Sequence, residues 1–180
     1  MLIKAIKHFF IIFGLLAIQV ALIPNLPGAL AKFNVILVSL IFIATVYRFY
    51  LAGIYGMVWG FVLDLYSPLP FAAIVVALMA TLYVAYKVFE HLLTNKSFYT
   101  LLGLALISTI VYHLLCFVYS SVRIFNATRD LALIKQTAIF SSNDLLWQIA
   151  INLTAISVLF LVFNFSSRRF NAVFVDTIKT

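Results

Sequence analysis

The side chains that could do chemistry in this chain fall into three small groups. Asp64 closes the stretch Gly53–Pro70, GIYGMVWGFVLDLYSPLP, in which Gly56, Gly60 and Asp64 recur at i, i+4, i+8. On a helix those three residues share one stripe, and Gly53 lies one turn earlier on nearly the same face. Glycines at this spacing let a second helix approach closely. An acid at membrane depth costs roughly 2.5–3.5 kcal/mol unless it has a partner or a polar cavity. Two readings of Asp64 stay open. It is a helix-end acid, reaching the outer headgroups or capping the following helix, or it is a buried contact for helix assembly or for a ligand.

The second group is Asp144, Gln148 and Asn152, again at i, i+4, i+8. Polar side chains on one face of a membrane helix usually hydrogen-bond across to another helix, so this row is expected to hold helices together, with a polar pocket shared with Asp64 as the alternative. The third group is His113 and Cys116, at i, i+3. They could face a metal together, but no second pair stands at a suitable spacing and two ligands do not make a zinc site. A hydrogen-bonded histidine is the preferred reading, and neither metal nor cofactor is expected. Glu90 is explained by an i, i+3 pair with Lys87. No phosphate-cradling lysine loop, GxSxG or HExxH is present, so the chain is not read as an enzyme.

The elements that position these residues follow from composition. Of 180 residues, 66% are hydrophobic and 9% charged, against about 45–50% and about 25% in soluble domains. The expected fold is an all-α integral membrane protein, one domain over residues 1–180, in a single bundle of six transmembrane helices. Their approximate bounds are 6–23, 33–47, 51–66, 70–91, 98–122 and 144–165. Proline at residue 70 suits the first turn of the fourth helix. Residues 94–97 form a short loop that makes the fourth and fifth helices antiparallel neighbours. The second and third helices are short for a 30 Å core, which predicts tilt or shielding by neighbours. Tyr47, Tyr50, Tyr66 and Tyr99 suit an interfacial belt, whereas Trp59 is deeper and packs between helices. Arg123–Asn143 reads as the only long connection, with a short amphipathic helix over 127–140 lying on the membrane surface, and Ser141, Ser142 and Asn143 read as caps of the sixth helix.

Six spans put both termini on one side. That side carries Lys4, Lys7, Arg48, Lys87, Lys96, Arg168, Arg169 and Lys179; the other carries Lys32, Arg123, Arg129 and Lys135. Eight against four places both termini in the cytoplasm. The net charge of +7 then reflects cytoplasmic loops and contact with anionic lipid, not nucleic acid. Lys4 and Lys7 before the apolar run Phe9–Ile23, with Ala29-Leu30-Ala31 after it, also have the layout of a cleavable signal peptide. Either reading puts residue 32 outside. The single cysteine excludes an intramolecular disulfide.

Phe33-Asn34-Val35-Ile36-Leu37 and Gly56-Met57-Val58-Trp59-Gly60-Phe61-Val62-Leu63-Asp64-Leu65-Tyr66-Ser67 together resemble the bacterial rod shape-determining protein MreD family. The family pattern is a glycine, apolar residues, a second glycine, further apolar residues, then Asp-Leu and a small polar residue. The resemblance covers roughly residues 5–120. The family commonly has a glycine soon after this serine, where the present chain has Pro68-Leu69-Pro70-Phe71-Ala72, and Arg123–Asn143 has no counterpart. The resemblance implies a non-enzymatic scaffold subunit of the cell-elongation (peptidoglycan synthesis) machinery in the bacterial cytoplasmic (inner) membrane. Its partners would be an MreC-like membrane protein and, through it, an MreB-like filament and a peptidoglycan synthase. Gly53, Gly56, Gly60, Asp64, Asp144, Gln148 and Asn152 are the candidate packing or partner-binding residues. The family is similar in fold to the substrate-binding S components of energy-coupling-factor vitamin transporters, the alternative function, which would require a polar pocket opening outward.

Overall fold

The computed structural model describes residues 2–91 and 97–166; the loop 94–96 and the basic tail that holds Arg168 and Arg169 lie outside the described residues. Six α-helices follow one another, with no strand among the described residues: α1 Leu2–Ala17, α2 Val35–Val46, α3 Phe49–Tyr66, α4 Ala73–His91, α5 Phe98–Thr128 and α6 Leu131–Ser166. The last four are long and apolar enough to cross a membrane. Helix α1 does not stop at Ala17. It widens into a π turn over Ile18–Leu22 and tightens into a 3-10 turn over Ile23–Asn25, where Pro24 and then Pro27 end it. A further 3-10 turn, Gly28–Lys32, leads to α2 and packs on α6.

Helix α2 is the centre of the bundle. Its twelve residues are apolar on every side, which marks a helix wrapped by others, and eight of them are buried, Ile36, Leu37, Leu40 and Ile41 almost completely. The core around it adds Trp59 of α3, Leu78 of α4, Leu101 and Leu104 of α5 and Ile156 of α6. At about 1.5 Å per residue α2 is only about 18 Å long, and shielding by α3, α4, α5 and α6 answers that shortness. Trp59 packs between helices as its depth suggested: it is fully buried, stacks on Tyr55 and donates its indole N–H to the Ile12 carbonyl at 3.1 Å.

Several boundaries differ from expectation, the starts of α1 at Leu2 and of α2 at Val35 among them. Helix α3 starts two residues earlier, at Phe49. Helix α4 starts at Ala73, because Ser67–Ala72 is needed to reverse the chain: Pro70 contributes its carbonyl to the Ala73 N–H at 3.0 Å, and Ala72 takes a left-handed φ of 69°. The largest correction concerns residues 123–143. They are neither a long connection nor a surface helix. Helix α5 runs on to Thr128, α6 begins at Leu131, and only Arg129 and Asp130 join them. Arg129 ends α5 with a left-handed φ of 52°, its N–H returning to Phe125 O at 2.9 Å, the common way to close a helix. Asp130 caps α6, its carboxylate accepting from Ala132 N at 2.7 Å. Ser141, Ser142 and Asn143 therefore lie inside a helix and cap nothing. Lys32, Pro68, Arg123 and Asp144 mark one end of the bundle, since Lys32 pairs with Asp144 and Arg123 donates to the Pro68 carbonyl.

Candidate functional site

The glycine stripe of α3 faces α4. A β-carbon added at Gly60 would stand 2.8 Å from the Val75 α-carbon and 3.0 Å from Val75 Cγ2. That is backbone against backbone, so only glycine fits. At Gly56 the added carbon would meet Leu82 Cδ1 at 3.1 Å, the movable end of a side chain, and at Gly53 it would meet only Met79 Cε at 4.0 Å. The contact thus tightens along the stripe toward Asp64.

Asp64 finishes what the glycines begin. Its side chain is buried, and each carboxylate oxygen accepts a backbone N–H of the helix that the glycines admit: Oδ1 from Ile74 at 2.9 Å and Oδ2 from Val75 at 3.2 Å. These N–H groups belong to the first turn of α4, where no carbonyl precedes them to accept. An acid there also meets the positive end of the helix dipole. The geometry joins parts of the two readings of Asp64: it caps the fourth helix and, being buried, is also a contact that holds α4 to α3. Its hydrogen bonds do not join it to Gln148 or Asn152.

The row on α6 works separately, and each of its members has a partner. Asp144 takes the Lys32 ammonium at 2.8 Å, both groups being about 40% exposed. Gln148 Oε1 lies 2.9 Å from His113 Nδ1, and His113 Nε2 lies 2.7 Å from Ser141 Oγ. A neutral imidazole satisfies both contacts when Nδ1–H donates to Gln148 and Nε2 accepts the serine hydroxyl. Asn152 is fully buried. Its Oδ1 accepts the Asn34 N–H at 3.1 Å and its Nδ2 donates to Thr109 Oγ1 at 3.2 Å.

Asn34 is the meeting point of this second network, at the start of α2. Its own Oδ1 accepts from Leu37 N at 3.0 Å, and Gln19 Oε1 accepts from Val35 N at 2.9 Å. The N-terminus of α2 is buried, and three of its N–H groups find side-chain acceptors from α1's extension, from α6 and from its own cap. Gln19 is the one polar residue in the apolar run Phe9–Ile23, and polar residues at such depth need a reason. Ser141 and Thr109 carried no such signal, because hydroxyls in helices normally bond back to their own turn, as Thr109 also does to Ala105 O at 2.8 Å.

Two cavities adjoin this network at the Lys32 end. One of about 410 Å³ is walled by Leu63, Tyr66, Ser67 and Ile74 with Gln19 and Tyr112. The other, about 280 Å³, reaches Lys32, His113, Asp144 and Gln148. Gln19, Asn34 and Tyr112 line both. His113 and Cys116 do not belong to any group of three or more metal-ligating side chains among the described residues.

No family model, no curated protein and no solved structure matches the chain.

Proposed function

We propose that the chain is a six-span subunit of the bacterial cytoplasmic membrane, with both termini in the cytoplasm, and a non-enzymatic scaffold of the cell-elongation machinery that binds an MreC-like partner. The observation that carries this reading is the use made of the motif on which the resemblance rests. Gly56, Gly60 and Asp64 are spent on one task, bringing α4 against α3 and fixing where α4 begins. The polar row on α6 is likewise absorbed in pairs that join α6 to α5 and to the segment entering α2. Side chains engaged in this way build a rigid body and leave its surface to meet a partner. The smaller cavity, which Lys32, His113, Asp144 and Gln148 line, favours a second reading, a substrate-binding S component, because converging polar side chains are what such a subunit would need.

One set of experiments separates the two. Depletion of the protein should turn rod-shaped cells round, and an MreC-like protein should co-purify with it in detergent. Retention of rod shape, together with saturable binding of a labelled vitamin by the purified chain, would overturn the scaffold reading in favour of the transporter subunit. Reporter fusions at Asn95 and Thr180 should read as cytoplasmic and one at Arg129 as external; an external signal at Thr180 would refute the orientation.

A further inference from the structure

The two cavities at the Lys32 end meet at one wall, because Gln19, Asn34 and Tyr112 line both. The larger, about 410 Å³, is lined mainly by apolar surface, with Val20, Leu63 and Ile74 in it. The smaller, about 280 Å³, is lined mainly by polar surface, with Lys32, Asp144 and Gln148 in it. Together they fall within the usual size of a small-molecule cleft, about 300–1,000 Å³. Gln19 stands in the π turn Ile18–Leu22, and such turns often accompany function. Both ends of its amide are tied to the chain entering α2: Oε1 accepts from Val35 N at 2.9 Å and Nε2 donates to Phe33 O at 3.4 Å. The shared wall is therefore fixed, with a polar half on one side and an apolar half on the other. That is the lining an amphiphile needs.

The polar half holds one charge of each sign. Lys32 Nζ lies 2.8 Å from Asp144 Oδ2. This contact uses one of three ammonium N–H groups and one of two carboxylate oxygens, and neither side chain makes another hydrogen bond among the described residues. Gln148 spends Oε1 on His113, and its amide nitrogen makes no hydrogen bond among the described residues. The unspent groups are thus donors on Lys32 and Gln148 and an acceptor on Asp144. A bare anion is drawn by Lys32 and repelled by Asp144; for a bare cation the signs reverse. A zwitterion laid antiparallel to the pair gives each charge a second neighbour of opposite sign. Its hydrogen bonds to the pair are charge-assisted, which are the strong ones. The apolar half asks for hydrocarbon beside that head, which points to a lipid and away from a free metabolite.

We propose that the joined cavities seat one phospholipid with an ammonium–phosphate head. Its phosphate faces Lys32 and Gln148, its ammonium faces Asp144, and the start of an acyl chain lies against Val20, Leu63 and Ile74. The inference goes beyond the scaffold reading and does not depend on it. It gives the smaller cavity an occupant other than a vitamin.

The test titrates the full chain, purified in detergent and stripped of lipid, and counts bound lipid by native mass spectrometry. The probes are phosphatidylethanolamine, phosphatidylcholine and phosphatidylglycerol with the same acyl chains, and free phosphoethanolamine. Phosphatidylethanolamine should bind on the order of tenfold tighter than the other two lipids, the effect of one charge-assisted hydrogen bond. The choline head has no N–H to give Asp144, and the glycerol head has no cation. Free phosphoethanolamine should bind more weakly still, having no chain for the apolar half. Removing both charges, Lys32→Ala with Asp144→Ala, should abolish the preference and leave thermal unfolding nearly unchanged, since exposed ion pairs add little stability. The same change at the exposed pair on α4, Lys87→Ala with Glu90→Ala, should alter nothing. The preference of the unaltered chain tests the proposal without any variant. Equal binding of the three lipids, as a nonspecific lipid coat gives, would overturn it. So would tighter binding of phosphatidylglycerol, free phosphoethanolamine matching the lipid, or a preference that survives loss of both charges.

Discussion

Asp64 offers the sharpest test of how this bundle is held. Leucine at that position removes both acceptors and strands the N–H groups of Ile74 and Val75 in a buried setting. Each stranded donor costs about 1–3 kcal/mol, and the lost interaction with the helix dipole adds about 0.3–1 kcal/mol. Against this, roughly 2 kcal/mol returns through the apolar burial of leucine. The net loss for Asp64→Leu is about 0.3–5 kcal/mol, centred near 2.5 kcal/mol. Asparagine keeps one acceptor and strands one donor, so Asp64→Asn should cost about 1–2 kcal/mol, near half as much. Thermal unfolding of the chain in nanodiscs, followed by tryptophan fluorescence, gives the order of stability. Amide hydrogen exchange locates the damage: Ile74 and Val75 should lose protection in both variants, while Leu82, two turns further along α4, should keep it. Equal losses for the two variants, or no loss in either, would refute the reasoning and leave a carboxylate that merely reaches toward headgroups.

The glycine stripe should show a gradient. Gly60→Ala should cost about 1–3 kcal/mol, as overpacking against fixed backbone does, Gly56→Ala less because Leu82 can yield, and Gly53→Ala nothing or a slight gain from helix propensity; thermal stabilities of the three that coincide would contradict the observed contacts. Ala72→Gly should stabilise the chain by roughly 1 kcal/mol, since φ at 69° is costly for any residue with a β-carbon, and a loss of stability would show that the turn before α4 is not held as described. Asn143→Pro should cost about 3 kcal/mol or more and reduce helical circular dichroism, because residue 143 lies inside α6. A silent substitution there would restore the loop that the sequence suggested.

Composition alone determined that this chain folds as long apolar helices, because 66% hydrophobic residues with 9% charged cannot be solvated as a soluble domain. Local chemistry determined several boundaries. Asn34 and Ser97 begin α2 and α5 as side-chain caps, accepting from Leu37 N and Thr100 N, and the prolines after Tyr66 end α3. The spacing of Gly56, Gly60 and Asp64 predicted a packed face, and that of Asp144, Gln148 and Asn152 a bonded one. What tertiary structure decided is whom each face meets. Asp64 caps a helix that begins nine residues later, which depends on the chain reversing at Ser67–Ala72. The same holds for residues 123–143. No glycine follows Gly103 and no proline follows Pro70, so nothing there forbids a helix, yet Ser141–Asn143 have the side chains of a cap. The ambiguity is physical. A hydroxyl can satisfy a helix N-terminus or bond within a helix and across to a neighbour, as Ser142 does to Ile139 O at 2.8 Å and Ser141 does to His113. Only the pairing of α6 against α5 selects between them.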